Sequence, residues 1–257
     1  MHKSIIDYPS NDNLLLAALP EDEKRRLAPF LTTVEMKAGQ TLIEHDAPIR
    51  HIWFPIDAIT STIQLLSDGS SVESGIMGLE GMIGIQLWLR QRTTPQHTAV
   101  QIAGTGRRMN ADVFLREVVY TSSPLNDLLA GYIHGFLIFT GQTAACNRLH
   151  TMDQRLCRWL SMVHNRIPDR RTFTLKQEFL ANMLGVQRPT VSVAAAMLQK
   201  AGWIRYSRGN LEILDPEGLA SGACECYSII EAQFDKIFHQ SWIKLAKKAR
   251  GAPSDKE

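Results

Sequence analysis

Residues 174–202 have the sequence TLKQEFLANMLGVQRPTVSVAAAMLQKAG, in which two helical patterns flank a single glycine. Apolar residues recur at helical spacing on both sides of Gly185. Thr174 and Gln177 have the spacing of a capping box, which predicts the start of the first helix. The second helix is predicted to begin near Arg188. Two short helices joined by a tight, glycine-containing turn predict a helix-turn-helix.

The polar face of the second predicted helix carries side chains suited to DNA. In a helix-turn-helix, the N-terminal end of the second helix contacts base edges in the major groove. An arginine there can bond bidentately to guanine, a contact worth about 1–3 kcal/mol of discrimination. The predicted DNA-binding residues are Lys176, Gln177, Gln187, Arg188, Thr190, Ser192 and Arg208.

The segment that follows predicts a wing. Residues 203–214 alternate apolar and polar side chains around Gly209-Asn210, which predicts a β-hairpin with Arg208 at its tip. A hairpin after a helix-turn-helix is typical of a winged helix.

The charge distribution supports DNA binding. Residues 148–209 hold 11 basic and 3 acidic side chains, whereas residues 1–147 hold 11 basic and 15 acidic ones. The whole chain has a formal net charge of only +2. Such a local excess of positive charge indicates a surface for a polyanion.

The first part of the chain predicts two short helices and then a sheet. Leucines at helical spacing predict helix over residues 13–31. From there to about residue 110, short apolar runs are separated by turn residues such as Ser67-Asp68-Gly69-Ser70. This spacing predicts an antiparallel roll or barrel of about eight strands.

A long helix is predicted next. Between Val118 and Asn147 the only charged residue is Asp127, but polar residues and glycines favour a buried helix over a membrane span. A helix that is apolar nearly all round must be covered on several sides, and dimerisation would cover it. The predicted dimer interface is Leu125, Leu129, Tyr132, Ile133 and Phe136. Gly131 and Gly135 either allow two such helices to approach or relieve crowding within one chain.

Together these features resemble the Crp/Fnr family of bacterial transcription regulators. The most specific matches are QEFLANMLGVQRPTVS at 177–192 and GLEGMIG at 78–84. The resemblance implies an α+β fold: an antiparallel β-roll (double-stranded β-helix), a long dimerisation helix and a C-terminal winged helix-turn-helix. The boundaries we predict are a sensor domain at 1–117, the dimerisation helix at 118–149, the DNA-binding domain at 150–222 and a helical extension at 223–257. The family's homodimers bind pseudo-palindromes with half-sites about 34 Å apart.

The sensor departs from the family's cyclic-AMP pattern, in which a Gly-Glu pair holds the ribose and an arginine holds the phosphate. Here Ile85 follows Gly84, and Gln96 lies near the arginine position. An apolar side chain cannot accept ribose hydroxyl bonds, and a neutral amide cannot neutralise a phosphate. Cyclic AMP is therefore not the expected ligand. A pocket for another effector would involve Glu80, Gly84, Ile85, Gln96, His97 and Thr98, although Glu80 and His97 also suit a plain charged surface.

No metal site or cofactor is predicted. The chain has no cysteine before Cys146, whereas the family's iron–sulfur sensors use N-terminal cysteines. Cys224-Glu225-Cys226 has no companion pair nearby in the sequence, and Cys146 and Cys157 suit core positions. His45, His51, His97 and His134 are candidates for haem ligation, but a structural role is more common for such histidines.

The functional prediction is a homodimeric, DNA-binding transcription regulator, with double-stranded DNA and a second copy as partners. RNA polymerase is a further candidate partner. The alternatives are the same role gated by another effector, such as a cyclic dinucleotide, and a non-DNA-binding scaffold with a degenerate winged helix. No catalytic motif is present, so no enzyme activity is expected. Asp7 interrupts the N-terminal apolar run, which favours the cytoplasm over secretion. Residues 231–250 predict an amphipathic helix that ends in Lys244, Lys247, Lys248 and Arg250.

Overall fold

The computed structural model describes residues 12–167 and 169–249, with side chains as far as His239. The first elements are the short helices α1 (Leu14–Ala17) and α2 (Glu21–Leu27). Asn13 caps α1, and its side-chain amide donates hydrogen bonds to the carbonyls of Pro55 and Gly81. These bonds fix the N-terminal helices on the sheets, in agreement with the helical pattern predicted there.

The sheets form the antiparallel roll that the turn spacing predicts. Its strands are β1 (Thr32–Met36), β2 (Thr41–Ile43), β3 (His51–Pro55), β4 (Ile59–Leu65), β5 (Ser71–Met77), β6 (Gln96–Ile102) and β7 (Gly104–Asn110). One sheet has the order β1-β7-β3 and the other the order β2-β6-β4-β5. The roll has seven strands within the described residues, rather than about eight. The GLEGMIG run forms turns before helix α3 (Ile85–Trp88), and only Ile83 pairs, in an isolated bridge with Trp53.

A long helix follows the roll. The elements after β7 are α4 (Ala111–Phe114), a π-helical turn (Leu115–Val119) and α5 (Pro124–Leu149). Ser123 caps α5, and Pro124 occupies its first turn as predicted. The final helix, α10 (Cys226–Ala249), packs along α5. Because α5 contacts the roll on one side and α10 on another, most of its circumference is apolar without any second copy.

The residues predicted to form the dimer interface lie inside the protomer. Leu125, Leu129, Tyr132, Ile133 and Phe136 are all between 0% and 7% exposed in the single chain. The two glycines fit the second of their alternatives. A methyl group added at Gly135 would lie 3.0 Å from Ile237, and one at Gly131 would lie 3.4 Å from the same residue. The roll and α10 of the same chain cover these five residues, which are therefore core residues of the single chain.

The C-terminal part of the chain contains the predicted winged helix. Its elements are α6 (Met152–Arg166), β8 (Thr172–Thr174), α7 (Gln177–Leu184), α8 (Arg188–Lys200), β9 (Ile204–Ser207), β10 (Asn210–Ile213) and α9 (Pro216–Gly222). The capping box predicted at Thr174 is wrong. Thr174 belongs to β8, where its hydroxyl bonds to Asn210, and Lys176 is the residue before α7.

A buried ion-pair network joins the roll, the winged helix and the C-terminal helix. Arg166 Nε lies 2.8 Å from Glu80 Oε1, and Arg166 Nη1 lies 3.1 Å from Glu231 Oε1. The arginine side chain is 0% exposed and the two carboxylates are 1% and 9% exposed. Burial raises the pKa of Glu80 and the arginine opposes that shift. Burial lowers the pKa of Arg166, but the two carboxylates outweigh it and the net direction is upward, so the arginine stays charged. Glu80 is therefore not the surface charge that the sequence suggested.

A second polar contact crosses the same boundary. Trp159 Nε1 on α6 donates to Glu73 Oε1 on β5 at 3.1 Å. The carboxylate also accepts bonds from Ser61 and Gln101, and burial raises its pKa. Because an unsatisfied buried carboxylate is costly, these bonds hold the winged helix in one position on the roll.

Three sequence expectations fall at or beyond the edges of the described residues. Asp7 lies outside them, as does Arg250, and the side chains of Lys244, Lys247 and Lys248 are not described. The C-terminal segment itself is helical to Ala249. Within the described ranges, no helix combines the length and apolar character that a bilayer crossing requires.

Candidate DNA-binding surface

The two helices of the helix-turn-helix pack through small and apolar side chains. α7 ends at Gly185, which has a φ of +60° that favours glycine. Ala181 on α7 and Ala195 on α8 are 4% and 1% exposed, so the helices pack closely there. The apolar faces that the sequence predicted are therefore the buried ones, and the polar face of α8 is left at the surface.

The N-terminal end of α8 is the most accessible part of this polar face. Gln187 lies just before the helix, Pro189 is in its first turn, and the side chains of Gln187, Arg188 and Thr190 are exposed. The first backbone N–H groups of a helix have no partner within it and suit a phosphate. This end can therefore contact both base edges and the DNA backbone.

An open groove brings together four of the seven predicted residues, Lys176, Gln177, Arg188 and Arg208. It is lined by Lys176, Gln177, Glu178, Arg188, Tyr206, Arg208 and Gly209. Three of these side chains are cationic and one is acidic, so the groove is electropositive. Burial raises the pKa of Tyr206 to about 12, and its hydroxyl donates to the Leu175 carbonyl. Tyr206 is thus a neutral wall of the groove and not a competing anion.

Ser192 and Gln177 contact each other rather than pointing separately into solvent. Ser192 Oγ donates to Gln177 Oε1 at 2.9 Å and also lies 3.2 Å from the Arg188 carbonyl. Both side chains are half-buried. Because Gln177 accepts through its oxygen, its amide N–H groups remain able to donate to DNA, and Ser192 sets their orientation.

The wing turn differs by one residue from the sequence prediction. Ser207 pairs with Asn210, so the two residues of the turn are Arg208 and Gly209, not Gly209 and Asn210. Their φ angles are +49° and +80°, as a type I′ turn requires. An arginine at positive φ is uncommon, and here it holds the guanidinium at the hairpin tip. β8 pairs with β10 on the other side and supports the hairpin.

Two exposed apolar residues on α8 were not selected from the sequence. Val193 is 63% exposed and Met197 is 53% exposed. They lie four residues apart, one turn along the same face of the helix. Apolar side chains can contact thymine methyl groups in the major groove, so both are candidate DNA contacts. Their positions on the polar side of the predicted helix were the available indication.

The basic segment is less basic at the surface than its composition suggests. Arg155, Arg158 and Arg166 are 7%, 3% and 1% exposed, and they serve the interior. Arg170 forms an ion pair with Asp57 on the roll, and the aspartate partly neutralises its charge. Of the other basic residues, Lys176, Arg188 and Arg208 line the groove, where their charge can act on DNA.

Three residues of the predicted effector pocket, Glu80, Gln96 and Thr98, bond to side chains outside the predicted set. Gln86 Nε2 donates to Gln96 Oε1 at 3.0 Å, and the hydroxyls of Thr98 and Thr62 are 3.1 Å apart. Gly84 has a φ of +93° and Ile85 begins α3 directly after it, while His97 is half-buried on β6. Glu80 belongs to the buried network with Arg166. Of the six predicted residues, Glu80 is therefore already occupied by its buried ion pair with Arg166.

The comparisons with known proteins agree with this geometry. A family model of the Crp-like helix-turn-helix domain matches residues 154–221. FixK2 from Bradyrhizobium japonicum has a similar structure, with a TM-score of 0.63 and 14% identity over 76% of this chain and 98% of FixK2. A CRP-family transcriptional regulator from Thermus thermophilus has a TM-score of 0.59 and 15% identity over 74% of this chain and 96% of its own.

A third similar structure is the c-di-GMP-responsive global regulator CLP of Xanthomonas campestris, with a TM-score of 0.59. Its identity is 13%, over 76% of this chain and 99% of CLP. No curated protein matches the chain in sequence. The chain thus has the roll-plus-winged-helix architecture of a class of transcription regulators. Residues 154–221 form a Crp-like helix-turn-helix domain, and the fold of the chain is that of solved Crp/Fnr-family regulators, in agreement with the resemblance predicted from the sequence.

Proposed function

We propose that this protein is a sequence-specific DNA-binding transcription regulator that acts as a homodimer on a pseudo-palindromic operator. The observation that carries the proposal is the electropositive groove between the start of α8 and the wing, within a Crp-like helix-turn-helix domain. A scaffold protein with a degenerate winged helix would have no need to keep Arg188 and Arg208 exposed on one face. We propose no catalytic role, and we expect the protein to act in the cytoplasm.

The residues of the groove and of the start of α8 have different roles in this proposal. Arg188 at the start of α8 contacts base edges, and Gln187 and Thr190 contact bases or the adjacent phosphate. Lys176 and Arg208 contact phosphates on either side of the major groove. Gln177, oriented by Ser192, donates from the first turn of α7. Base contacts supply the sequence preference and phosphate contacts supply affinity that depends on salt.

The dimer interface in this proposal is the exposed stripe of α5. The stripe comprises Asp127, Ala130, His134, Leu137, Gly141, Ala144 and Arg148, all exposed in the single chain. The spacing alternates between three and four residues, which is the pattern of a seam between two helices. Leu137 is 64% exposed, which is costly in a monomer, and the small residues allow close approach. This stripe replaces the five buried residues predicted from the sequence.

We further propose that the roll does not respond to cyclic AMP. Gln96 holds the position expected of a phosphate-binding arginine and is already bonded to Gln86. Ile85 follows Gly84 where a ribose-binding carboxylate is expected. The roll would then respond to another effector, for which a cyclic dinucleotide is one candidate, or to none.

The test of DNA binding is Arg188→Ala. We first select bound sequences from a random duplex pool with the wild-type protein, and then measure the affinity of the variant for the selected operator. Loss of one bidentate base contact per protomer is expected to weaken specific binding by about 10- to 100-fold per half-site. Arg92→Ala is the matched control, because Arg92 is an exposed roll arginine paired with Asp112. Equal effects of both variants would contradict a role for α8 in recognition. If the ligand-free protein enriches no sequence, either the roll must first bind an effector or the winged helix does not read DNA, and the Arg188→Ala comparison on plain duplex at low salt separates the two.

The wing contact is tested by Arg208→Asn. Asparagine tolerates the positive φ at this position, so the turn and the stability of the fold are expected to persist. Loss of a phosphate contact should weaken binding similarly across sequences and lower the slope of log affinity against log salt by about one per protomer. A fluorescence titration at several salt concentrations measures this slope. If the slope is unchanged, the wing does not contact phosphate.

A further inference from the structure

Four side chains with metal-binding atoms converge beside the DNA-binding domain. Cys146 and His150 lie at the C-terminal end of α5, and Cys224 and Cys226 lie at the start of α10. Their ligand atoms all lie within 4.8 Å of one another. The sequence analysis set the Cys224-Glu225-Cys226 run aside for want of a companion pair nearby, because Cys146 lies 78 residues before Cys224 along the chain.

The spacing of these atoms fits a tetrahedral zinc ion. Cys146 Sγ and Cys224 Sγ are 3.5 Å apart, and Cys226 Sγ and His150 Nδ1 are 3.4 Å apart. With zinc–sulfur bonds of about 2.3 Å and zinc–nitrogen bonds of about 2.0–2.1 Å, a tetrahedral site has edges of about 3.8 Å between sulfurs and about 3.6 Å between sulfur and nitrogen. These two distances are within a few tenths of an ångström of the tetrahedral edges, and the other ligand atoms, all within 4.8 Å of one another, would have to move closer by at most about 1 Å.

The groups around the cluster support the same assignment. Glu225 Oε2 lies 3.2 Å from His150 Nε2, the nitrogen that faces away from Cys226. A carboxylate that accepts from the far nitrogen of a histidine is the usual outer partner of a zinc ligand, and it leaves Nδ1 free to bind metal. Gln142 Nε2 lies 3.2 Å from Cys226 Sγ and can donate to a thiolate there.

The local charge also suits a metal-bound cluster. Zinc with three thiolates and one neutral imidazole has a net charge of −1. Arg155 and Arg158, both buried, act electrostatically on Cys146. Within the described part of the chain, the hydrogen-bond contacts of Arg158 are long, 3.5 Å to Thr143 Oγ1 and 3.6 Å to Met162 Sδ. Its Nε atom has no hydrogen-bond partner within the described residues. An anionic metal centre nearby would stabilise these buried cations.

We propose that Cys146, His150, Cys224 and Cys226 bind one structural zinc ion, which ties the C-terminal helix to the long helix next to the winged helix. A soft set of three sulfurs and one nitrogen, with all three cysteines buried, selects zinc over hard cations such as magnesium. Four protein ligands leave no open coordination position, so the site is structural and not catalytic. Because α10 covers α5 and contributes Glu231 to the network with Arg166, the ion would fix the junction from which the DNA-binding domain extends.

The test begins with full-length protein purified under reducing conditions without a metal-affinity step. Elemental analysis by mass spectrometry is expected to find about one zinc per chain. Cys224→Ser and His150→Ala are expected to lose most of it, and Cys157→Ser is the matched control because Cys157 is buried outside the cluster. Cobalt added to metal-depleted wild type should give the absorption bands of tetrahedral, thiolate-bound cobalt, and these bands should be absent in Cys224→Ser.

Stability provides an independent readout. Metal that binds only the folded chain raises the melting temperature, so a strong chelator should lower that of wild type and of Cys157→Ser, but not that of His150→Ala. A zinc-free chain that shows neither cobalt bands nor a chelator effect overturns the proposal. A disulfide between Cys146 and Cys224 that survives the reducing purification, found by thiol titration of the unfolded chain before and after complete reduction, overturns it as well.

Discussion

Replacing Arg166 by alanine is expected to destabilise the protein by about 3–5 kcal/mol, because it leaves two buried carboxylates without their cation. Glu80 and Glu231 both bond to this guanidinium, and neither carboxylate is more than 9% exposed. A loss of this size is a large share of the about 5–15 kcal/mol that stabilises a typical protein. Urea unfolding, followed by tryptophan fluorescence and by circular dichroism, measures the free energy of unfolding.

Arg170→Ala is the matched control for this prediction. Arg170 also joins the winged-helix side to the roll, through Asp57 at 3.3 Å and the Ala103 carbonyl. Its side chain is 36% exposed and that of Asp57 is 48% exposed, so solvent screens the pair. We expect its loss to cost less than about 1 kcal/mol. Equal effects of the two variants would mean that Arg166 is not buried as the structure has it.

A triple variant separates the cost of unpaired charge from the loss of the arginine itself. In Glu80→Leu/Arg166→Met/Glu231→Leu all three charges are replaced by apolar side chains of similar size. Replacing a complete buried ion-pair network in this way is often neutral or stabilising. We therefore expect the triple variant to be more stable than Arg166→Ala alone. Stability as low as that of the single variant would assign the loss to packing around the arginine stem and to its 5.7 Å contact with the Phe234 ring.

The features that the sequence predicted correctly are those encoded within short stretches. The helix-turn-helix depends on Gly185 and on apolar residues a few positions away, and the roll depends on turns next to each strand. Errors of a few residues arose even there. The wing turn is Arg208-Gly209, because strand pairing decides which residues occupy a hairpin turn, and Thr174 pairs in β8 rather than capping α7.

The features that were missed depend on contacts between distant residues. The apolar breadth of α5 suggested a dimer, but α10 covers that surface from about 100 residues further along the chain. In the sequence, Glu80 resembles an effector-binding or surface residue, because its partner Arg166 lies 86 residues away along the chain. The Cys-His cluster is assembled in the same manner. Composition and spacing cannot identify such partners, because many pairings satisfy the same pattern.

Leu137→Asp is expected to convert the protein to a monomer and to abolish tight operator binding. Leu137 lies at the middle of the exposed stripe of α5 and is 64% exposed in one protomer, so a polar substitution should not disturb the fold. Across a twofold seam, each substituted carboxylate would face its own copy and lose its solvent. Two buried like charges without a cation are strongly unfavourable.

The effect on DNA binding follows from linkage of the two half-sites. In a dimer, binding of one winged helix places the second at a high effective concentration over the other half-site, which raises affinity by about 10²- to 10⁴-fold. The monomer should lose this factor on the full operator yet bind an isolated half-site as well as one protomer of wild type does. Light scattering coupled to gel filtration gives the mass, and fluorescence anisotropy gives both affinities.

Two further variants test whether the exposed stripe of α5 forms the dimer interface. A methyl group added at Gly141 meets nothing within 4 Å in the single chain, so Gly141→Leu should leave the monomer intact and still prevent close approach of two helices. Leu66→Asp is the control, because Leu66 is 59% exposed in the turn between β4 and β5 of the roll and is not part of the α5 stripe. If Leu137→Asp and Gly141→Leu both remain dimeric, the copies associate through another surface. If they become monomeric while Leu66→Asp does not, α5 forms the dimer and the winged helices are paired by it.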